Sequence, residues 1–418
     1  MKANDHRPTD VIVIGGGPAG STASTLLAQH GYRVQLFERE RFPRFHIGES
    51  LIPETYWVLE RLKMLDKMRS SPFVKKHSVQ FVGSSGKLSE PFYFMDNKPH
   101  ECSQTWQVLR SEFDQMMLEN AREHGVEAHE GARVLDVLFE GERAVGIRVK
   151  YHDGTEGEVR APVVVDASGQ SSLIANRMKI RVTDPELKKG AVWTYYEGAY
   201  RDTGRDEGAT MVLATEAKNG WFWYIPLHRN IVSVGVVSSF EYLFDGRGTH
   251  EQIFHEELDR CPAAKQRVSM GKRVADFYAT RDYSYRATRA AGDGWVLVGD
   301  AYGFLDPLYS SGVLLALKSG QLAADAVAEA LAKGDTSAES LGKWAPDFAK
   351  GMDRMRRLVC EYYNGFSFGR FVKAHPHLKG HLTDLLIGDL FEDKVDDVVV
   401  PMESMKEQGG YSYASMPE

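Results

Sequence analysis

The hydrophobic pattern near the start of the chain changes from that of a strand to that of a helix and back. Four consecutive apolar residues, Val11–Ile14, predict a short buried strand. Ser21–His30 then has the composition of a helix, which Gly31 ends, and a second strand is predicted over Tyr32–Phe37. This order is typical of an α/β fold with a parallel sheet.

Two similar apolar runs occur later, at Val163–Asp166 and Gly294–Gly299, and we expect both to join the same sheet. The predicted helices are Glu54–Met68, Ser111–Glu123 and Val313–Lys333, and Gly131–Lys150 is predicted to be a hairpin. Trp57 is assigned to the apolar face of the first helix, and Ser111 to the N-cap of the second.

Between residues 191 and about 283 the pattern becomes one of long alternating segments, such as WFWYIPL and IVSVGVV, separated by polar turns. This alternation predicts an antiparallel sheet with one covered face, inserted into the α/β domain as a substrate domain. Residues 336–418 are predicted to be mostly helical. We expect their aromatic patch to cover the substrate pocket as a lid. The patch comprises Tyr362, Tyr363, Phe366, Phe368 and Phe371.

Composition limits the classes of function. A chain of 418 residues is longer than one hydrophobic core usually supports, so we expect two interleaved domains. The net charge of −7 argues against a nucleic-acid partner. Cys102, Cys261 and Cys360 are far apart and form no C-x-x-C pair, so we expect neither a metal site nor a disulfide framework.

The chain has no apolar run of the length that a transmembrane helix needs, about 20 residues. Its polar first residues, MKANDHRPTD, lack the apolar core of a signal peptide. We therefore expect no membrane association and a cytoplasmic location, which also suits the reduced cysteines.

Three glycines in G-x-G-x-x-G spacing, Gly15, Gly17 and Gly20, connect the first strand to the first helix. The first glycine makes a tight turn, the second lets the backbone approach a pyrophosphate, and the third lets the helix pack closely. Glu38 ends the second strand, where a carboxylate reaches a ribose hydroxyl. The combination predicts a dinucleotide site for FAD or NAD rather than NADP.

Two places beyond the glycine turn indicate ligand binding. Asp300 follows the strand Gly294–Gly299, at the sheet edge where open α/β folds bind ligands. The backbone N–H groups of Ser311 and Gly312 stand at the start of the predicted long helix, which makes them an anion site.

The loop Arg39–Pro53 follows the second strand directly and must pass near the dinucleotide. Its basic residues Arg41, Arg44 and His46 are explained as well by solvated surface charge as by cofactor binding. Arg110, just before a predicted helix, is a further candidate to reach the cofactor.

The glycine turn, Glu38, Arg110 and the segments VVVDASG and GWVLVGDA together resemble the flavin monooxygenase superfamily that includes p-hydroxybenzoate hydroxylase and geranylgeranyl reductase. The resemblance extends over about residues 10–331 and implies FAD rather than NAD. It also implies that Glu38 binds the adenosine ribose, that Arg110 contacts FAD, and that Asp300 binds the ribityl chain.

A narrower resemblance rests on four features. Trp221–Pro226, WFWYIP, matches the W-x-W-x-I-P signature of flavin-dependent halogenases, and FLDPLYSSG at 304–312 fits their F-x-x-P-x-x-x-S-G signature. The segment RFHIGESLIP resembles their flavin strap. Lys76 stands where these enzymes have an essential lysine, with Lys75 as the register alternative.

The halogenase resemblance implies site residues in three groups. Catalytic roles are implied for Lys76, Trp221, Trp223, Ile225 and Pro226, and halide binding for Ser311 and Gly312. FAD contacts are expected from Gly15, Gly17, Gly20, Glu38, Arg41, Ile47, Gly48, Glu49, Ser50, Arg110, Asp300 and Pro307.

The implied architecture is α/β, with a Rossmann-like FAD-binding domain, an inserted antiparallel β-sheet substrate domain and a C-terminal helical extension. The FAD-binding domain is expected at 1–78, 104–180 and 285–335, the substrate domain at 79–103 and 181–284, and the helical region at 336–418.

In the mechanism that the resemblance implies, reduced FAD and O₂ give a flavin hydroperoxide, halide attacks it, and hypohalous acid travels to Lys76. Tyr309 stands where tryptophan-type halogenases have a glutamate, which resembles the phenol and pyrrole enzymes. The expected substrate is an electron-rich phenol or pyrrole, free or tethered to an acyl or peptidyl carrier protein. Because the one dinucleotide fingerprint is used by FAD, a separate flavin reductase is expected to supply FADH₂.

Two roles for Lys76 stay open. A free lysine has a pKa of ~10.4, so a chloramine at neutral pH requires the pKa to fall by roughly three units. An ammonium that donates a hydrogen bond to hypohalous acid requires no such change. The second role is favoured, because the sequence shows no neighbouring base.

Three other functions compete with halogenation. An aromatic hydroxylase would oxidise NAD(P)H by itself when substrate is present. An isoprenoid-type reductase would have a motif like Y-x-W-x-F-P, from which Trp221 and Ile225 differ. A non-enzymatic flavoprotein or carrier-binding module would bind FAD without consuming oxygen.

Overall fold

A computed structural model describes residues 8–281, 283–366 and 368–407 of the chain. Residues 1–7 and 408–418, which belong to the predicted regions 1–78 and 336–418, lie outside the described residues.

The predicted strand–helix–strand unit lies at the centre of a mainly parallel sheet. Val11–Ile14 pairs in parallel with both Val34–Glu38 and Val163–Asp166, and it is buried throughout. Burial on both faces explains its continuous apolar composition. In the described residues the strand order is Ala291–Gly292, Trp295–Leu297, Val163–Asp166, Val11–Ile14, Val34–Glu38 and Glu127–Glu130. The first of these strands is antiparallel to its neighbour.

The helix that follows the glycine turn, Pro18–Gln29, packs against the long helix Gly312–Lys333. A Cβ on Gly320 would lie 2.6 Å from the carbonyl oxygen of Ala19, so glycine permits this close approach. The helix Arg110–Glu123 packs against Pro18–Gln29 as well. It begins one residue before the predicted start, and Leu109 rather than Ser111 is its N-cap.

The predicted helix Glu54–Met68 is two helices, Thr55–Arg61 and Leu65–Ser70. Lys63 between them has a φ of 58°, a left-handed conformation that no helix interior contains. The prediction for Trp57 is wrong: its side chain is 38% exposed and stacks on His100, with ring centroids 5.0 Å apart.

A second, larger sheet contains the WFWYIP segment. Its order is Lys272–Arg273, Lys189–Glu197, Ile231–Ser239, Gly220–Pro226, Thr210–Ala214, Ser78–Val82 and Phe92–Tyr93, and Tyr278–Arg281 pairs with Lys189–Glu197. The sheet is antiparallel as predicted, except that Thr210–Ala214 runs parallel to Ser78–Val82. Such a parallel pair requires a long crossover, and here 127 residues separate the two strands.

The expectation of a single covered face in this sheet is wrong. Trp221, Trp223 and Ile225 belong to the main core, whereas Phe222 and Tyr224 belong to a second core on the opposite face. The second face is covered by the helices Phe240–Phe244, His250–Asp259 and Pro262–Val268. Burial of both faces explains why the run WFWYI has no polar positions.

The C-terminal region is mostly helical, as predicted, in the residues that the structure describes. Its helices are Ala338–Gly342, Ala345–Tyr363, Phe368–Ala374, Lys379–Ile387 and Val399–Glu407. The amide of Glu54 donates a hydrogen bond of 3.2 Å to the carbonyl of Ile387, which fixes this region to the segment after the predicted strap.

Smaller elements complete the fold. Three short sheets occur in the described residues. The first contains Arg133–Glu140, Arg143–Lys150 and Glu156–Arg160, and the second contains Arg181–Thr183, Tyr285–Ala287 and Gly303–Phe304. The third pairs Val74–Lys76 with Thr105–Gln107. Short helices occur at Phe94–Asn97 and Leu173–Arg177. None of the described helices is both long and apolar enough to cross a lipid bilayer.

Candidate active site

The glycine turn has the backbone that a dinucleotide pyrophosphate requires. Gly15 has a φ of 101°, and a Cβ there would collide with the carbonyl oxygen of Ala167. A Cβ on Gly20 would collide with the carbonyl oxygen of Gly15. Gly17 is the N-cap of the helix Pro18–Gln29, whose first N–H groups have no acceptor within the helix. The turn fits a pyrophosphate.

Glu38 ends its strand beside this turn, as predicted. Its Oε2 accepts a hydrogen bond of 2.8 Å from the amide of Gly16, and its Oε1 accepts one of 2.9 Å from the amide of Glu40. The two bonds fix a buried carboxylate at the sheet edge next to the glycines. This placement fits recognition of a ribose hydroxyl.

Arg44 rather than Arg41 lies at the glycine turn. The Arg44 Nη2 is 3.5 Å from the position that a Cβ on Gly17 would occupy, and its Nη1 is 3.0 Å from Asp114. Arg41 is exposed and lies against Gly131. The sequence does not distinguish the two arginines, because both belong to one irregular loop. We add Arg44 to the candidate cofactor residues.

Arg110 hydrogen-bonds to the predicted strap, residues 44–53. It forms a two-bond ion pair with Asp114, with distances of 2.7 and 2.9 Å. Its Nη1 donates to the carbonyl oxygens of Ile47 at 2.8 Å and Gly48 at 3.2 Å. Burial alone would raise the pKa of Asp114, but Arg110 and Arg44 hold that pKa below its usual value.

Asp300 lies directly after the strand Trp295–Leu297, as predicted, in the short turn Gly299–Ala301. Burial raises the pKa of Asp300 to about 6, and the positive charge of Arg110 opposes this rise. The glycine turn, Glu38, Arg110 and Asp300 therefore surround one edge of the parallel sheet, and together they fit FAD.

We call residues 306–312 the anion turn. Ser310 has a φ of 57°, a strained conformation for a residue other than glycine. Ser311 is the N-cap and Gly312 the first residue of the 22-residue helix Gly312–Lys333. The helix dipole and the free N–H groups of its first turn suit a small anion.

Asp306 anchors the anion turn to the C-terminal region. One of its oxygens accepts from the amide of Leu308 at 2.9 Å, and the Tyr363 hydroxyl donates to the other at 3.0 Å. The indole Nε1 of Trp221 in turn donates to the Tyr363 oxygen at 3.1 Å. Burial raises the pKa of Asp306 to about 7, and the hydrogen bonds from Leu308 and Tyr363 oppose this rise.

An apolar cavity joins the strap, the large sheet and the anion turn. Its lining comprises Ile47, Gly48, Glu49, Ser50, Thr210, Val212, Trp221, Trp223, Ile225, Phe304, Pro307, Leu308, Ser310, Gly312 and Val313. Of the residues predicted for halide binding and catalysis, Gly312, Trp221, Trp223 and Ile225 face this cavity. Pro226 ends the strand and is not part of the lining.

Lys76 is buried beside the cavity, whereas Lys75 is exposed. The Lys76 Nζ donates to the Ser50 hydroxyl at 2.8 Å and to the carbonyl of Leu51 at 2.9 Å. Ser50 lines the cavity, so it connects the lysine to that space. Burial alone lowers the pKa of Lys76 to about 7. The amine is thus available at neutral pH without the neighbouring base that sequence reasoning required.

Thr210, Gln107 and Tyr195 are polar groups of this site that the sequence did not indicate. Thr210 lies 2.9 Å from the Ser50 hydroxyl and accepts a bond of 2.8 Å from the Gln107 amide. Glu49, a predicted FAD contact, accepts a bond of 2.7 Å from the Tyr195 hydroxyl, and burial raises its pKa to about 7. These partners come from distant strands, and no local pattern marks them.

The aromatic patch reaches the anion turn. The ring of Tyr309 lies 6.3 Å from that of Tyr362 and 6.2 Å from that of Phe368. Phe368 also stacks on Phe81 of the large sheet at 5.6 Å. The patch therefore packs over the side of the cavity formed by the anion turn, and its role as a lid stays a prediction.

Comparisons with known proteins agree with this geometry. The FAD binding domain family matches residues 8–345. A pyrrole-2-carbonyl peptidyl-carrier-protein chlorinase of Pseudomonas fluorescens is 30% identical, over 98% of this chain and 97% of its own. The corresponding brominase of Pseudoalteromonas luteoviolacea is 34% identical, over 93% and 94%.

A solved structure of the flavin-dependent brominase Bmp2 is 31% identical, with a TM-score of 0.86 over 96% of this chain and 100% of its own. These findings confirm the predicted α/β fold with a Rossmann-like FAD-binding part and FAD as the cofactor. They also favour halogenation over the hydroxylase and reductase alternatives. The chain belongs to the flavin-dependent halogenases, enzymes that use reduced FAD, O₂ and halide.

Proposed function

We propose that this enzyme halogenates a pyrrole or phenol ring that a carrier protein presents, and that Lys76 delivers the halogen. The observation that carries the proposal is the position of Lys76. Its buried amine, free of any carboxylate partner in the described chain, adjoins through Ser50 the same cavity that the anion turn lines. The carrier-linked pyrrole substrate is suggested by two relatives that match the chain over nearly its full length.

FAD would be held by the glycine turn, Glu38, Arg44 and Asp300. When bound in its reduced form, it supplies the electrons and the oxygen activation by which halide is oxidised to hypohalous acid. At this end the chain's own residues would hold the cofactor, and Arg110 fixes the strap by donating to the carbonyls of Ile47 and Gly48.

The anion turn would hold the halide at the N–H groups of Ser311 and Gly312. Such donors are fixed in the backbone before the anion arrives, so they need no reorganisation as charge moves. Ser310, strained and lining the cavity, directs this end of the turn toward the apolar space.

The cavity would carry hypohalous acid from the anion turn to Lys76. Its walls are mainly apolar, with Val212, Trp221, Trp223 and Ile225 on one side. An apolar passage limits the access of water, which would otherwise release the oxidant. We propose that the two indoles also keep the organic substrate away from the cofactor.

Lys76 can act in two ways at its lowered pKa. As an amine it would form an N–halogen bond, releasing water as the hypohalous oxygen leaves. As an ammonium it would donate a hydrogen bond that polarises the acid. With a pKa of about 7 the protein contains both forms at neutral pH, so a mutant series must decide between them.

Two partners complete the proposal. A separate reductase would supply FADH₂. A carrier protein would supply the ring, and nucleic acid and membranes would have no role. The cysteines Cys102, Cys261 and Cys360 are buried and free, which supports a cytoplasmic location.

The proposal is tested by supplying FADH₂ from a flavin reductase, with chloride or bromide, to a panel of free phenols, free pyrroles and pyrrole-2-carbonyl-loaded carrier. Halogenated product is read by mass spectrometry. Rapid NADPH oxidation by the purified protein without the reductase would contradict it and favour a hydroxylase.

We expect Lys76→Ala to abolish halogenation while FAD affinity and oxygen uptake persist, with free hypohalite or peroxide replacing the product. Lys75→Ala is the matched control and should remain active, because Lys75 is exposed. Residual activity of Lys76→Arg would support the hydrogen-bonding role, since arginine stays protonated. Full activity of Lys76→Ala would remove the lysine from the mechanism.

A further inference from the structure

A basic stretch stands out in this acidic chain. The net charge of the protein is −7, yet no acidic residue occurs between Glu361 and Asp384. The same interval carries Arg370, Lys373, Lys379, His375, His377 and His381. We call residues 369–381 the basic segment. It includes most of the helix Phe368–Ala374 and the start of Lys379–Ile387.

The lysines of the basic segment face solvent without neutralisation. Lys373, His377 and Lys379 are exposed, and neither lysine has an ion pair with any carboxylate in the described part of the chain. The preceding helix differs, because its Lys350 pairs with Asp393 at 2.6 Å. His381, at the edge of the segment, is 3.3 Å from Asp397. The segment therefore presents net positive charge to an approaching partner.

A row of aromatic rings leads from the basic segment to the anion turn. His375 packs on Phe371 with centroids 5.2 Å apart, and Phe371 packs on Phe366 at 5.4 Å. Phe366 lies 5.2 Å from Phe368, which lies 6.2 Å from Tyr309. The Tyr309 hydroxyl at the inner end is buried and has no hydrogen-bond partner among the residues described. A buried hydroxyl without a protein partner is a free donor for a water or a bound group.

We propose that the basic segment is the docking face for an acidic carrier domain, whose prosthetic arm passes beside the buried aromatic row to the cavity. Lys373 and Lys379 would receive the carboxylates of the carrier and the phosphodiester of its arm. The Tyr309 hydroxyl would donate to the carbonyl of the tethered acyl group. This inference rests on the proposed function, and it adds the surface on which the carrier binds.

The geometry favours this occupant over a lipid surface. A membrane would use the positive charge but would not reach the buried Tyr309 hydroxyl. A carrier uses both, because its charged body stays outside while its arm extends inward. Binding through exposed charges also makes a measurable prediction, since such interactions weaken as salt screens them.

The test uses a peptidyl carrier domain with an acidic surface, loaded with pyrrole-2-carbonyl and labelled with a fluorophore. Its dissociation constant for the FAD-loaded enzyme is measured by anisotropy at low and high salt. We expect the double variant Lys373→Glu and Lys379→Glu to weaken binding roughly tenfold at low salt, with a smaller difference at high salt. Its FAD affinity and its halogenation of a free phenol should equal those of the unmodified enzyme.

The matched control reverses two exposed lysines on strands outside the basic segment, Lys150→Glu and Lys272→Glu, and should leave binding unchanged. Equal carrier affinity in the test variant and the unmodified enzyme would overturn the docking proposal. Carrier binding that depends on these lysines, but without halogenation of the loaded ring, would support the docking face and contradict the proposed function. If the charge-reversed variant halogenates the loaded carrier as well as the unmodified enzyme does, the proposed function is supported and the docking face is contradicted.

Discussion

At the scale of single residues, strand alternation separates two adjacent lysines into different chemical environments. Lys75 is exposed to solvent, whereas Lys76 points inward and is buried. The sequence shows the pair but not the packing around it, so the low pKa of Lys76 could not be predicted. The acceptors of its hydrogen bonds, Ser50 and Leu51, belong to the strap, 26 and 25 residues earlier in the chain.

Lys76 should cost the protein stability, and Lys76→Met should therefore raise the melting temperature at pH 6. The folded-state pKa of Lys76, about 7, lies below the ordinary lysine value of 10.5. The penalty is therefore complete below pH 7, on the order of 5 kcal/mol, and it fades as the pH rises from 7 to 10.5. The two lost hydrogen bonds offset part of the gain.

Thermal unfolding followed by circular dichroism at pH 6 and pH 9.5 measures this effect, and the gain should be larger at pH 6. Lys75→Met is the control and should change the melting temperature little at either pH. If Lys76→Met is less stable than the unmodified protein at both pH values, burial of the charged lysine does not destabilise the fold.

At the scale of secondary-structure elements, the sequence predicts best where one physical rule dominates. The strands Val11–Ile14 and Val163–Asp166 have the predicted bounds, because parallel strands buried on both faces need unbroken apolar runs. The prediction of one helix over Glu54–Met68 is wrong, because Lys63 adopts a left-handed conformation that a lysine in the sequence does not indicate. The large sheet was assigned one covered face because the helices over its second face could not be foreseen.

Gly235→Ala should disturb the W-x-W-x-I-P strand without touching the cofactor. A Cβ on Gly235 would overlap the ring of Trp223 and lie 2.5 Å from the Cβ of Trp193. We expect a loss of about 1–3 kcal/mol in the free energy of unfolding, because the rings must shift. The fraction of consumed oxygen that appears as halogenated product should fall, since Trp223 lines the cavity.

Gly157→Ala is the matched control. Gly157 also lies inside a strand, but a Cβ there would meet the Tyr151 ring at 3.8 Å, an ordinary contact. Urea unfolding and a coupled oxygen-electrode assay measure both variants. If Gly235→Ala is as stable and as well coupled as Gly157→Ala, the packing between Trp193 and Trp223 is not what positions this strand.

At the scale of the whole molecule, the site is assembled from segments that the sequence keeps far apart. The strap, the large sheet, the anion turn and the C-terminal region each contribute a wall or a hydrogen bond. The resemblance identified the first three by their motifs. It could not predict that Trp221 bonds to Tyr363, 142 residues later, because side-chain contacts of this kind follow from the packing of whole elements.

Tyr363→Phe should uncouple the C-terminal region from the anion turn, because the variant keeps the ring and removes both hydrogen bonds of the hydroxyl. We expect FAD affinity to be unchanged and the yield of halogenated product per O₂ to fall roughly tenfold, the size of effect that one or two lost buried bonds produce. The Tyr363 bond lowers the pKa of Asp306, so its loss raises that pKa further above the usual range. Any limb of the pH profile that depends on ionised Asp306 should therefore move to higher pH.

Tyr93→Phe, which removes a hydroxyl bonded to Asp206 at the surface, is the control and should change neither the product yield nor the pH profile. An unchanged yield and pH profile in Tyr363→Phe would show that the C-terminal region does not act on the anion turn through this tyrosine.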